Sequence, residues 1–246
     1  MEQLDALDPN SWASNEVLVF AAPSLDGAFV AFGKAEGRAH DAAIHVLEVD
    51  GAAAPGPPPR GTHHASVAWL PDASGLFYAA RPAPGEVPAG EEPLWNAIYE
   101  HRLGSDVPVR RVFGDEHRKD YWCTVKVTEC GRFAVLMKWD YVHANDVTLL
   151  RLADDSHLPV ATGMASLQQV QVAGESLLIH TDRDVPRGRL CTAPLRLPRS
   201  GGRSSPRASI PSRRSRASVA GATPATRARR LITCASTPRM GRGCAT

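Results

Sequence analysis

His63 and His64 stand side by side in "GTHHASVAW", and paired imidazoles are the first place to look for a metal. On a strand, adjacent side chains point to opposite faces, and no carboxylate or cysteine stands at ligand spacing from these two, so no metal site is expected. The run "GDEHRKD" (Gly114–Asp120) offers acids, bases and an imidazole, but it mixes both signs within one short stretch, the pattern of a solvated turn. A serine nucleophile needs the strand-to-helix turn G-x-S-x-G, an imidazole to take its proton and a carboxylate to orient the imidazole. No such pentapeptide occurs in the 246 residues, and the serines of "GRSSPR" (Gly202–Arg207) lie in no ordered context. The chain therefore carries no assignable catalytic residue, no metal site and no cofactor motif.

The five cysteines add no chemistry. Six residues separate Cys123 from Cys130, and Cys191, Cys234 and Cys244 are scattered, which fits neither a paired zinc spacing nor a disulfide framework. Those in the first part of the chain read as reduced, structural thiols.

Charge divides the chain in two. Twelve arginines, and no lysine or acid, fall between Arg196 and Thr246, leaving 16 basic against 26 acidic side chains in residues 1–195, a formal −10. The overall +2 averages two unlike pieces. No apolar run approaches a membrane span, and "MEQLDALDPN" is acidic where a signal peptide would be basic and then apolar. A cytoplasmic protein without a membrane partner is expected.

The elements that would have to position any site are strands. "VLVFAAP", "FVAFGKA", "AIHVLEVDG", "ASVAWLPD", "GLFYAARP", "AIYEHRLG", "VRRVFGD", "RFAVLMKWD", "VTLLRLADD", "SLLIHTDRD" and "RLCTAPL" are each too short for a helix, and many are rich in Val, Ile, Phe or Tyr. The reading is all-β. Four turns, "SLDGAFVAFG", "PDASGLFYAA", "TECGRFAVLM" and "VAGESLLIHT", each precede an apolar strand, and their glycines, Gly27, Gly75, Gly131 and Gly174, recur at intervals of 48, 56 and 43 residues. Several strands per repeat at such a period suggest propeller blades, with an irregular β-sandwich as the alternative.

The same motifs carry a family resemblance. "LDPN", "SLDGAFVAFGKAEGRAHDAAIHVLEVDGA", "VAWLPDASGLFYAARP", "IYEHRLGSD", "TECGRFAVLMKWD" and "TDRDVPRGRL" follow the order and approximate spacing of the prolyl oligopeptidase propeller, and the chain resembles that family over residues 7–195. "HRLGSD" suits oligopeptidase B equally, and "TDRDVPRGRL" favours the prolyl type. The resemblance implies a seven-bladed propeller joined to an α/β-hydrolase domain with a Ser, Asp and His triad. The implied activity is that of a serine peptidase cleaving short proline-containing peptides, with the propeller limiting access. It also implies that the loop "TDRDVP" faces the cavity between the domains, with Arg183 near bound peptide; the alternative is a surface arginine on a blade turn.

Residues 7–195 supply about four of seven blades. The chain is therefore expected to be an incomplete β-propeller, an internal part of a larger enzyme, lacking the hydrolase domain and inactive alone.

Three readings compete for residues 196–246. A basic nucleic-acid arm has the charge but lacks lysine and aromatic residues, so nucleic acid is not the expected partner. A flexible linker rarely carries so many arginines. Out-of-frame translation of GC-rich DNA gives Arg, Ala, Pro, Gly, Ser and Thr without Lys, Asp or Glu, and the change falls where the resemblance stops. If the codons of Leu231–Thr246 end in G or C, a shifted frame can give "HHLRVHAADGPGLRD", a strand followed by an Asp-Gly turn. The leading reading is a disordered, out-of-frame tail, because the segment has too little apolar surface to offset its ordering entropy. The second reading of the whole chain is a non-enzymatic propeller module whose basic arm binds nucleic acid or another acidic partner.

Overall fold

The computed structural model describes residues 13–37, 41–49, 61–63, 66–83, 85–104, 108–114, 119–140, 144–163 and 166–195. The tail expectation, "LDPN", His64 and the centre of "GDEHRKD" lie outside them. Among the described residues there is no helix, and hence none long and apolar enough to cross a membrane.

Fifteen strands among the described residues form four antiparallel meanders. The first sheet is β1 (Glu16–Pro23), β2 (Phe29–Glu36), β3 (Asp41–Glu48) and β4 (Thr62–His63). The second is β5 (Val67–Trp69), β6 (Gly75–Ala80), β7 (Ala97–Arg102) and β8 (Arg110–Phe113). The third is β9 (Trp122–Val127), β10 (Phe133–Asp140), β11 (Ala144–Arg151) and β12 (His157–Ala161); the fourth is β13 (Gln168–Ala173), β14 (Ser176–Thr181) and β15 (Arg189–Pro194). In every sheet, spatial order follows chain order, which short connections between antiparallel neighbours require.

The central strands show why the sheets stack. Along β6, Leu76, Tyr78 and Ala80 belong to a core shared with Ala31 and Ile44 of the first sheet, while Phe77 and Ala79 belong to a core shared with Cys123, Val125 and Leu136 of the third. Along β10, Ala134 and Leu136 face the second sheet, and Phe133 and Val135 face Val170, Leu177 and Ile179 of the fourth. A strand covered on both faces has no polar side, hence the unbroken apolar runs "GLFYAA" and "FAVLM". Each fully buried Phe or Tyr here contributes about 1.5–3 kcal/mol.

The terminal sheets differ. Val17, Leu18 and Val19 of β1 are 39–45% exposed, and β13 and β15 alternate buried with exposed residues. The stack is an open arc of four blades: an incomplete propeller.

The turns lead into the second strand of each blade by shared devices. The Ser24 hydroxyl accepts the Phe29 N–H and donates to its carbonyl, and Thr128 treats Phe133 in the same way. Gly27, Gly131 and Gly174 take positive φ of 74°, 66° and 57°. The second blade departs from this pattern: Ala73 takes the left-handed position (φ 55°), and Gly75 opens β6, where a Cβ would run into the backbone carbonyl of His101.

Candidate functional site

Because the blades share one orientation, loops gather at two ends. At one, here the near end, β9 and β13 begin and β14 turns into β15; at the other lie the Asp26, Asp72 and Gly131 turns. Gly131 approaches Pro71 there, and the Trp69 indole donates to Ala22 O at 2.8 Å.

A row of side chains crosses the third sheet at its near end. Trp122 pairs with Trp139 in register, and Trp139 pairs with Asn145. The two indoles stack with centroids 6.4 Å apart and planes 10° from parallel, and Trp139 Nε1 donates to Thr124 Oγ1 at 2.8 Å. Asn145 reaches across to the fourth sheet: its Oδ1 accepts the Gln168 N–H at 2.6 Å and its Nδ2 donates to Gln168 O at 2.9 Å. Gln168 Nε2 donates to Ser166 Oγ at 2.5 Å.

From that row the loop bearing Arg183 is one step away. Asp182 Oδ1 accepts the N–H of Leu167, Gln168's neighbour, at 2.8 Å. The Arg183 N–H donates to Thr181 Oγ1 at 3.1 Å. Two turns complete the reversal, with Val185 N–H on Asp182 O at 3.0 Å and Gly188 N–H on Val185 O at 2.8 Å. The backbone is thus fixed at both sides of Arg183, while its half-buried guanidinium makes no hydrogen bond or ion pair among the described residues.

The corresponding place in the second sheet is built on strain. Trp95, a bulky residue at φ 55°, lies in the left-handed region. Its N–H donates to Lys119 O at 3.0 Å, and its indole donates to Glu91 Oε2 at 2.9 Å. Lys119 Nζ grips the other Glu91 oxygen at 2.6 Å; these bonds, Lys119 first, hold the Glu91 carboxyl below its usual range. Asn96 follows, and its Oδ1 accepts the Cys123 N–H at 2.8 Å, although its buried Nδ2 finds no partner.

Sequence reasoning passed over Asn96, Asn145 and the tryptophan pair. The signal was an internal match between "NAIYEHRL" and "NDVTLLRL", each with Asn two residues before a buried Ile or Val and six before Arg. Of the other candidates, Lys119 serves as the Glu91 clamp. His63 lies in β4, its side chain outside the described residues, and no group of three His, Cys, Asp or Glu able to hold a metal occurs among the described ones.

A concavity of about 210 Å³ opens at the far end between the second and third sheets, lined in part by Phe77, Glu100, Arg102, Arg110 and Asp155. Its charges are spent on one another. Buried Glu100 pairs with Arg102 at 2.7 Å and with Arg110, and Arg110 reaches Asp155 at 2.9 Å. This cluster ties two blades together.

The comparisons with known proteins agree with this architecture. Residues 5–223 match the family model for the prolyl oligopeptidase N-terminal β-propeller domain. The chain belongs to that family. The match runs past Leu195 into the arginine-rich segment. The chain is 25% identical over 201 residues to a prolyl endopeptidase of Elizabethkingia miricola and 26% identical over 204 residues to one of Elizabethkingia meningoseptica, covering 78% and 79% of this chain. It spans 28% of the length of each. A solved prolyl endopeptidase superposes with TM-score 0.69 at 24% identity, covering 76% of this chain and 28% of its own. Prolyl oligopeptidase B from Galerina marginata, solved with a bound 35-residue substrate, gives TM-score 0.66 at 18% identity, covering 76% of this chain and 29% of its own. These likenesses extend to the fold of the N-terminal propeller domain.

Proposed function

We propose that this chain forms the substrate-gating wall of a prolyl-oligopeptidase-like serine peptidase, with the near end facing the bound peptide and Arg183 contacting it. The cleavage chemistry belongs to an α/β-hydrolase domain with which the propeller is paired. The observation that carries this reading is the Arg183 loop: its backbone is anchored through Asp182 and Thr181, yet its guanidinium has no hydrogen bond or ion pair among the described residues. A held but uncommitted cation suits the carbonyl or carboxylate oxygens of a short peptide.

The test is binding of acetyl-Ala-Pro-Pro-Ala, with a free carboxylate, to the full chain by calorimetry. Arg183→Ala should weaken binding while the neighbouring Arg187→Ala leaves it unchanged. Equal affinity of wild type and Arg183→Ala would contradict the assignment.

Composition supports a further division, with residues 7–195 as the propeller part and residues 196–246 as an out-of-frame tail. Resequencing the coding DNA from about codon 185 tests it: a one- or two-base correction near codon 196 should restore further blade sequence. An unaltered frame would count against it.

A further inference from the structure

We propose that Trp122 and Trp139 form an aromatic shelf on which a proline ring of the bound peptide rests, a specificity element additional to Arg183; this rests on the gating reading above. Along β10, the face toward the fourth sheet carries Phe133 and Val135, both buried in the core, then Met137 at its margin, then Trp139. Packing therefore ends before the tryptophans. Both indoles are only half-buried, so the largest aromatic surface on this face lies where the core no longer uses it.

The shelf is rigid. The indoles stack on each other, the Trp139 N–H is committed to Thr124, and the third member of the row, Asn145, is fixed to Gln168 on both backbone groups. Both indoles keep part of their apolar surface exposed. An extended proline-rich segment suits such a surface, because its geometry is preset and a pyrrolidine ring has no N–H to lose on an apolar plane. The Asp182–Leu167 bond ties the Arg183 loop to the neighbour of Gln168, the residue Asn145 holds, so the cation and the shelf belong to one bonded network at the near end. Stacked aromatics could also suit nucleobases, but the formal −10 of residues 1–195 opposes a polyanion on this body.

The experiment uses the full chain, acetyl-Ala-Pro-Pro-Ala and its all-alanine counterpart. Trp139→Leu should weaken the proline peptide about tenfold, the scale of one aromatic contact, and Trp139→Phe by no more than about threefold. The all-alanine peptide should bind weakly and be indifferent to both changes. With 5-fluorotryptophan in the wild-type chain, the ¹⁹F signals of Trp122 and Trp139 should move on adding the proline peptide while that of Trp69, at the far end, stays. That readout decides the matter even if Trp139→Leu does not fold. Unmoved Trp122 and Trp139 signals with a bound peptide that Arg183→Ala releases would overturn the shelf and leave the gating reading intact. Equal binding of both peptides would overturn it as a proline element, and no binding of either would overturn both readings.

Discussion

Asn145 holds Gln168 by both of its backbone groups, accepting from the N–H at 2.6 Å and donating to the carbonyl at 2.9 Å, so that one side chain replaces a strand pairing between two blades. Asn96 makes half of this clamp on Cys123, leaving its own Nδ2 buried and unpartnered. Blades in an open arc lack the support of a closed ring, and these amides supply polar ties between hydrophobic faces.

Asn145→Ala should therefore destabilise the chain by about 2–4 kcal/mol, because it strands a buried donor and a buried acceptor together. Asn96→Ala strands one donor and removes an orphan, so about 1–2 kcal/mol is expected. Urea unfolding followed by circular dichroism would rank the two. The reverse order would mean that the amides are not the ties between blades.

A second prediction concerns two glycines inside strands. An added Cβ at Gly75 meets the His101 carbonyl, part of the β6–β7 ladder that cannot move alone, whereas at Gly33 it meets the ring of Phe20, which can turn. Gly75→Ala should cost about 2–3 kcal/mol and Gly33→Ala less, measured by the same unfolding midpoints.

The pH dependence follows from a buried imidazole. His101 is 6% exposed, its Nδ1 has no partner, and burial lowers its pKa from the ordinary 6.5; His45 is lowered too, by burial first and then by Lys34. Below pH 6.5 the unfolded chain then binds more protons than the folded one, so stability is full above that value and falls as pH drops toward the folded pKa. His101→Phe should flatten the decline below about pH 6.5, with at most about 1.4 kcal/mol per pH unit from this group. An unchanged slope would assign the effect elsewhere.

Thiol reactivity should separate the cysteines. Burial drives the Cys123 thiol far up, and Cys191 is buried as well. Cys130 is exposed, and although burial pushes its pKa upward, bonds from Thr128 and Arg132 outweigh that and leave it below the ordinary value. Iodoacetamide at pH 7.5 should modify Cys130 ahead of Cys123 and Cys191 by peptide mapping. Early labelling of Cys123 would show that the core between the second and third blades is open.

How much of this was legible in the sequence depended on side-chain chemistry. Strands buried on both faces, such as β6 and β10, announce themselves as unbroken apolar runs, and eleven strands in all were found from short runs rich in apolar residues. The four missed, β4, β9, β12 and β13, lacked that signature. β4 is two residues long, β12 carries Pro159 on an edge, β13 alternates Gln with Val, and β9 alternates Thr and Lys with its core-facing Cys and Val. Arg183 could be singled out only through the family resemblance, because nothing local marks a loop arginine. Asn145 was marked only by the match of its segment to that of Asn96, and the Trp122–Trp139 pair carried no signal because it exists only in strand register.

The central claim is that this chain contributes the wall of a peptidase site and not its chemistry. Incubating the purified full chain with a fluorogenic proline peptide tests it most directly. The account predicts no release of the fluorophore over that of buffer. Turnover abolished by a serine-directed inhibitor would contradict it.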